Sequence, residues 1–149
     1  MNNSLLVGTS ASQLQKLQRI QNATARLICG SKRHEHITPI LKSLHWLPIH
    51  MRVTYKLLLL VFKALHNAGS VYLRHLVHVC QPRRSLGSSS HGLLLEIPSS
   101  RLKSHCDRSY SCADSTEWNK LPLEVRSCCT VSSFKPALKT FFFMNYFTD

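Results

Sequence analysis

Acidic residues are scarce in this chain: seven Asp and Glu stand against 19 Lys and Arg in 149 residues, a net charge of +12. No two acids are adjacent, which excludes the clustered carboxylates with which a two-metal polymerase or nuclease holds its ions. Other catalytic signatures are missing too. There is no G-x-S-x-G, P-loop or H-E-x-x-H string, and a Cys-His hydrolase has only the adjacency of His105 and Cys106 behind it. No apolar run approaches the ~20 residues of a bilayer span; the longest, Leu57 to Phe62, lies between Lys56 and Lys63. Met1 to Ser12 lacks the basic start and apolar core of a secretory signal. Six cysteines form no C-x-x-C pair, so they read as reduced thiols of an intracellular protein, nuclear or cytoplasmic rather than secreted. His34-x-His36 near Cys29, and His75-x-x-His78-x-Cys80, each offer two or three ligands. Neither matches a four-ligand zinc spacing, and no metal or other cofactor is expected.

What is present is unevenly distributed. Residues 1–105 hold 14 Lys and Arg against two acids, Glu35 and Glu96, together with all nine histidines. Residues 106–149 hold five charges of each sign. A one-sided field of this kind favours a polyanion, nucleic acid ahead of an anionic membrane. The hydrophobic fraction of 44% is that of a globular chain with a modest core.

Ser10 with Gln13 resembles a capping box, after which Leu14, Leu17, Ile20, Ala23, Leu27 and Ile28 recur at helical spacing up to Gly30. Gln15, Gln18, Arg19, Asn22 and Arg26, with Lys16 at the edge, share the opposite face, which carries no acid. Lys32 and Arg33 follow in a loop. Thr38 reads as the cap of a short second helix with Pro39 in its first position, ending at Trp46-Leu47 because Pro48 disfavours helical geometry before it. Pro48 then opens a third helix to about Asn67, whose centre, Leu57 to Phe62, is the expected hub of the core. Val71 to Val79 forms one more short helix. Beyond a turn-rich linker at residues 81–92, Leu93 to Ile97 and Arg108 to Cys112 read as strands. Thr116 to Lys120 starts a short helix that Pro122 interrupts, and Ser132 or Ser133 caps a last helix with Pro136 in its first turn. The tail Phe141 to Phe147 is too apolar for water; it docks on this domain or marks a lost partner.

Arg52, Lys56, Lys63 and His66 fall within roughly 80° on a helical wheel, with Tyr55 beside them and Leu59 in the same stripe. Long basic stems can cover apolar surface while their heads reach phosphates. The candidate nucleic-acid contacts are therefore Lys16, Arg19, Arg26, Lys32, Arg33, Arg52, Lys56 and Lys63. Contacts of this type carry no sequence information.

The string His36-Ile37-Thr38-Pro39, then Leu44-His45-Trp46-Leu47-Pro48, Arg52, Lys56 and Phe62-Lys63-Ala64-Leu65-His66 resembles the segment that follows the polymerase core in LINE-type, jockey-like non-LTR retrotransposon reverse transcriptases. Further stations fall in the same order. They include Asn3 to Leu6, Lys16 to Asn22, Arg84-Ser85-Leu86, Trp118-Asn119-x-Leu121-Pro122 and Ser133-Phe134-Lys135. Departures concentrate after residue 68, as at Gly69-Ser70-Val71 and Ser115-Thr116-Glu117. The resemblance implies a thumb-like element and C-terminal extension of an RNA-directed DNA polymerase, whose catalytic aspartates and endonuclease lie upstream. It implies a grip on the primer–template backbone, with the remainder of such a polypeptide as a second partner.

The expected fold is mainly α: about four helices over 1–80, a linker at 81–92, and a looser extension of short strands and helices over 93–149. The expected function is a non-catalytic, sequence-independent nucleic-acid-binding fragment with no membrane association. Two alternatives stand beside it, an inert retrotransposon remnant and a small zinc-stabilised interaction module.

Overall fold

The computed structural model describes residues 9–80, 93–97 and 110–147. Within them the chain is mainly helical. In order come α1 (Ala11–Cys29), α2 (Ile37–Ser43), α3 (Ile49–Leu65), α4 (Val71–Leu76), α5 (Tyr110–Asn119), α6 (Leu123–Arg126) and α7 (Val131–Phe147). The linker 81–92 lies outside the described residues. Among the described helices none is long and apolar enough to cross a membrane.

Three helix ends share one device. After α1, α2 and α3 the chain turns left-handed at Gly30, His45 and Asn67, with φ of 62°, 53° and 56°. At each, the following N–H reaches back five residues: Ser31 to the Arg26 carbonyl, Trp46 to Leu41 and Ala68 to Lys63, at 2.9–3.0 Å. These are Schellman motifs, which satisfy carbonyls the helix leaves open. Gly30 adopts the conformation at no steric cost, whereas at His45 it costs about 1–2 kcal/mol. A stacking contact between His45 and Phe143 (5.4 Å between centroids) offsets part of that. The α2 helix therefore stops at Ser43, short of the expected Trp46-Leu47. Its cap is His36 rather than Thr38, with Pro39 still in the first turn.

The orientation of α1 reverses the one its hydrophobic pattern suggests. Gln21 and Ala25 are buried, while Ile20, Leu27 and Ile28 are exposed, Leu27 by 83%. The cause lies in the Trp46-Leu47-Pro48 corner, which leaves backbone groups without helical partners. Gln21 donates to the Leu47 carbonyl at 2.9 Å, and Gln18 accepts the Ile49 N–H at the start of α3 at 2.8 Å. Buried, unpaired groups of this kind cost about 1–3 kcal/mol each. Satisfying these two groups turns Gln21 and Gln18 toward the corner, although Gln21 Oε1 stays buried without a hydrogen-bond partner. Leu27→Gln is accordingly expected to change unfolding free energy by less than about 0.5 kcal/mol. A urea-denaturation loss of about 2 kcal/mol or more, as for a core leucine, would show the stripe to be covered.

The hub is α3, which packs against α1, α4, α5 and α7. Every residue from Leu57 to Phe62 except Leu60 is buried, as the all-round apolar sequence requires. Phe62 stacks on Phe134 of α7 at 4.2 Å and lies 6.5 Å from Trp118 of α5, so one core draws side chains from both ends of the chain. The phenylalanine-rich tail docks here as the end of α7, with Phe142 and Phe147 buried.

Leu93 to Ile97 is not a strand. It makes one antiparallel bridge, Val79 to Leu95, and is otherwise held by side chains. The Trp118 indole donates to the Leu93 carbonyl (2.7 Å), while the Asn119 amide bonds both the N–H and C=O of Leu95 (2.9 Å each). Of the expected strand Arg108 to Cys112, residues 108–109 lie outside the described residues and Tyr110 to Cys112 begins α5, a helix that also absorbs Thr116 to Asn119. Thr130 rather than Ser132 or Ser133 heads α7, its hydroxyl accepting the Ser133 N–H (3.2 Å). Pro136 thus falls in the second turn, where its missing donor leaves the exposed Ser132 carbonyl to water.

Asp114 is fully buried in α5. Its Oδ1 accepts the Ser115 N–H (2.6 Å), while Oδ2 has no hydrogen-bond partner. Desolvation pushes its pKa from 3.8 to about 6. Between those values the folded chain binds a proton at Asp114 that the unfolded chain has released, so this group's contribution to stability falls as pH rises from about 4 to 6 and is constant above. Asp114→Asn removes the buried charge. It is expected to stabilise the protein by about 2 kcal/mol at pH 7.5 and to differ from wild type by less than about 1 kcal/mol at pH 4. Equal effects at both pH values in thermal unfolding would contradict a buried, charged Asp114.

Candidate nucleic-acid interface

Two basic clefts emerge from this packing, neither lined by an acid among the described residues. The first, about 650 Å³, opens between the α2–α3 corner and α7, and Trp46, Arg52, Tyr55, Lys56 and Lys139 line it. Arg52 and Lys56 are exposed and one turn apart on α3. Across the cleft, the Tyr55 hydroxyl donates to the Lys135 carbonyl at 3.4 Å. That bond ties α3 to α7 one turn before Lys139 and so brings the third cation to the other two. Burial raises the Tyr55 pKa. The same desolvation lowers the pKa of the neighbouring His50, leaving it neutral near pH 7.

The second cleft is wider, about 730 Å³, and is lined by Arg19, Arg26 and Arg33 with Asn22 and Ser31. The Arg26 guanidinium donates to the Glu35 carbonyl (3.1 Å). This folds the 31–36 loop back toward α1 and sets Arg33 beside Arg19 and Arg26. Among the described residues the ion pair is Glu117 with Lys120, at 2.6 Å, far from either cleft in sequence, and no carboxylate lines them.

Five of the eight sequence-derived candidates thus fall into two groups, Arg52 with Lys56 and Arg19 with Arg26 and Arg33. Lys16 and Lys32 are exposed but line neither cleft. Lys63 is separated from Lys56 by Leu59, which is buried, and its backbone packs against the close approach of Gly69. The wheel stripe is therefore interrupted. Lys139 was not among the candidates. It lies more than 80 residues from Lys56, and only the docking of α7 brings the two together. No three His, Cys, Asp or Glu among the described residues come close enough to share a metal ion.

No family model, curated protein or solved structure matches the chain.

Proposed function

We propose that this chain is a non-catalytic segment of a LINE-type reverse transcriptase, in the thumb-like position after the palm, that holds nucleic acid by its phosphate backbone. The observation that carries the reading is the convergence of Arg52, Lys56 and Lys139 from two helices on one cleft that no carboxylate among the described residues lines. Cations held together in this way repel one another, an arrangement that a polyanion relieves. The ordered motif series supports the family part of the reading, and several of its members carry structural tasks here. Leu44 to Pro48 forms the corner that begins α3, and Trp118-Asn119 clamps residues 93–95. The exposed stripe of Ile20, Leu27 and Ile28 is the kind of surface the remainder of a larger polypeptide would cover. The test is the salt dependence of affinity for an RNA–DNA hybrid, since backbone contacts release counterions and weaken steeply with salt.

A further inference from the structure

The corner cleft holds more than charge. Two aromatic side chains, Trp46 and Tyr55, line it together with Arg52, Lys56 and Lys139. We propose that it is a stacking subsite for an unpaired nucleobase of single-stranded nucleic acid, with the flanking phosphates on Arg52, Lys56 and Lys139; this rests on the reading that the chain binds nucleic-acid backbone.

Geometry favours a base over a plain anion. Both rings are half-buried and packed against the hydrophobic core before any ligand arrives. The Trp46 backbone is fixed by its N–H to the Leu41 carbonyl (2.9 Å), and Tyr55 by its hydroxyl to the Lys135 carbonyl. Little side-chain freedom remains to be lost on binding. His45 lines the cleft as well, but its ring is already stacked on Phe143, which leaves Trp46 and Tyr55 as the aromatic wall. A volume of about 650 Å³ is ample for one base. Bases in a duplex are paired and stacked, so only an unpaired one can enter. Stacking of this kind is tolerant of base identity, because every base has a π-face.

The sequence contains two tryptophans. Trp118 is fully buried and its indole N–H is engaged by Leu93, so quenching by an added oligonucleotide reports Trp46. The experiment titrates the full chain with a short oligothymidylate and with an abasic oligomer carrying the same number of phosphates. The oligothymidylate is expected to quench and to bind about tenfold tighter or more. Trp46→Leu should bring its affinity down to the abasic level, and Trp46→Phe should keep a smaller preference. Trp118 fluorescence checks the fold of each variant. Equal affinity for the two oligomers overturns the stacking subsite and leaves backbone binding standing. If neither oligomer nor an RNA–DNA hybrid binds, the backbone reading falls and the subsite with it.

Discussion

Reversing Arg52, Lys56 and Lys139 together to Glu is expected to weaken binding to an RNA–DNA hybrid by about a hundredfold or more at low salt. One charge pair at 4 Å in water is worth about 1 kcal/mol. Three lost attractions amount to about 3 kcal/mol, or roughly a hundredfold, before the new repulsions are counted. The three side chains line one cleft, and Arg52, Lys56 and Lys139 are all exposed, so the reversal leaves the core intact. Reversing Lys16, Lys32 and Lys63 together to Glu is the matched control. It changes net charge by the same amount at residues that line neither cleft, and should cost less than about tenfold. Fluorescence anisotropy with a labelled hybrid reads both. A triple variant that binds as the wild type does would place the contact surface elsewhere.

Phe62→Ala is expected to remove about 3–5 kcal/mol of unfolding free energy. The ring is fully buried and stacks on Phe134 and on His66, at 4.2 and 4.0 Å. Its deletion opens a hole where α3, α5 and α7 meet. For a chain whose total stability is of order 5–15 kcal/mol, this is a large fraction, and the variant will be at the edge of folding. Phe62→Leu, which keeps most of the volume, should lose roughly half as much and remain folded. Urea denaturation followed by tryptophan fluorescence gives both values. It also separates a folded domain from an inert remnant, because a remnant without a packed core would show no cooperative transition to shift.

How much of this was legible in the sequence depended on the range of the interaction. The α3 hub was readable because six consecutive apolar residues leave few other places for the helix to go. Helix ends at Gly30 and near Asn67 were readable because left-handed caps are local. His45 was not, since its conformation is set by the Schellman bonds after α2 and by Phe143, almost a hundred residues away. The inward face of α1 was misread for a related reason. Periodicity marks Ile20, Leu27 and Ile28 as an apolar stripe but says nothing of the Leu47 carbonyl and Ile49 N–H that draw Gln21 and Gln18 inward. Leu93 to Ile97 looked like a strand by composition, yet its backbone is satisfied mostly by Trp118 and Asn119. For the basic surface, Arg52 and Lys56 followed from helical spacing. Lys139 required knowing that α7 lies along α3, which no local pattern carries.

The central claim, that this chain holds nucleic acid through backbone contacts, is tested most directly by measuring its affinity for an RNA–DNA hybrid across a series of salt concentrations. If three cations in the corner cleft each neutralise a phosphate, log affinity falls linearly with log salt. The slope should then be steeper than about −2, with Arg19, Arg26 and Arg33 adding to it if the second cleft is engaged. Reversing Arg52, Lys56 and Lys139 should flatten the slope by roughly 2 to 3. An affinity that does not change between low and physiological salt would contradict the account.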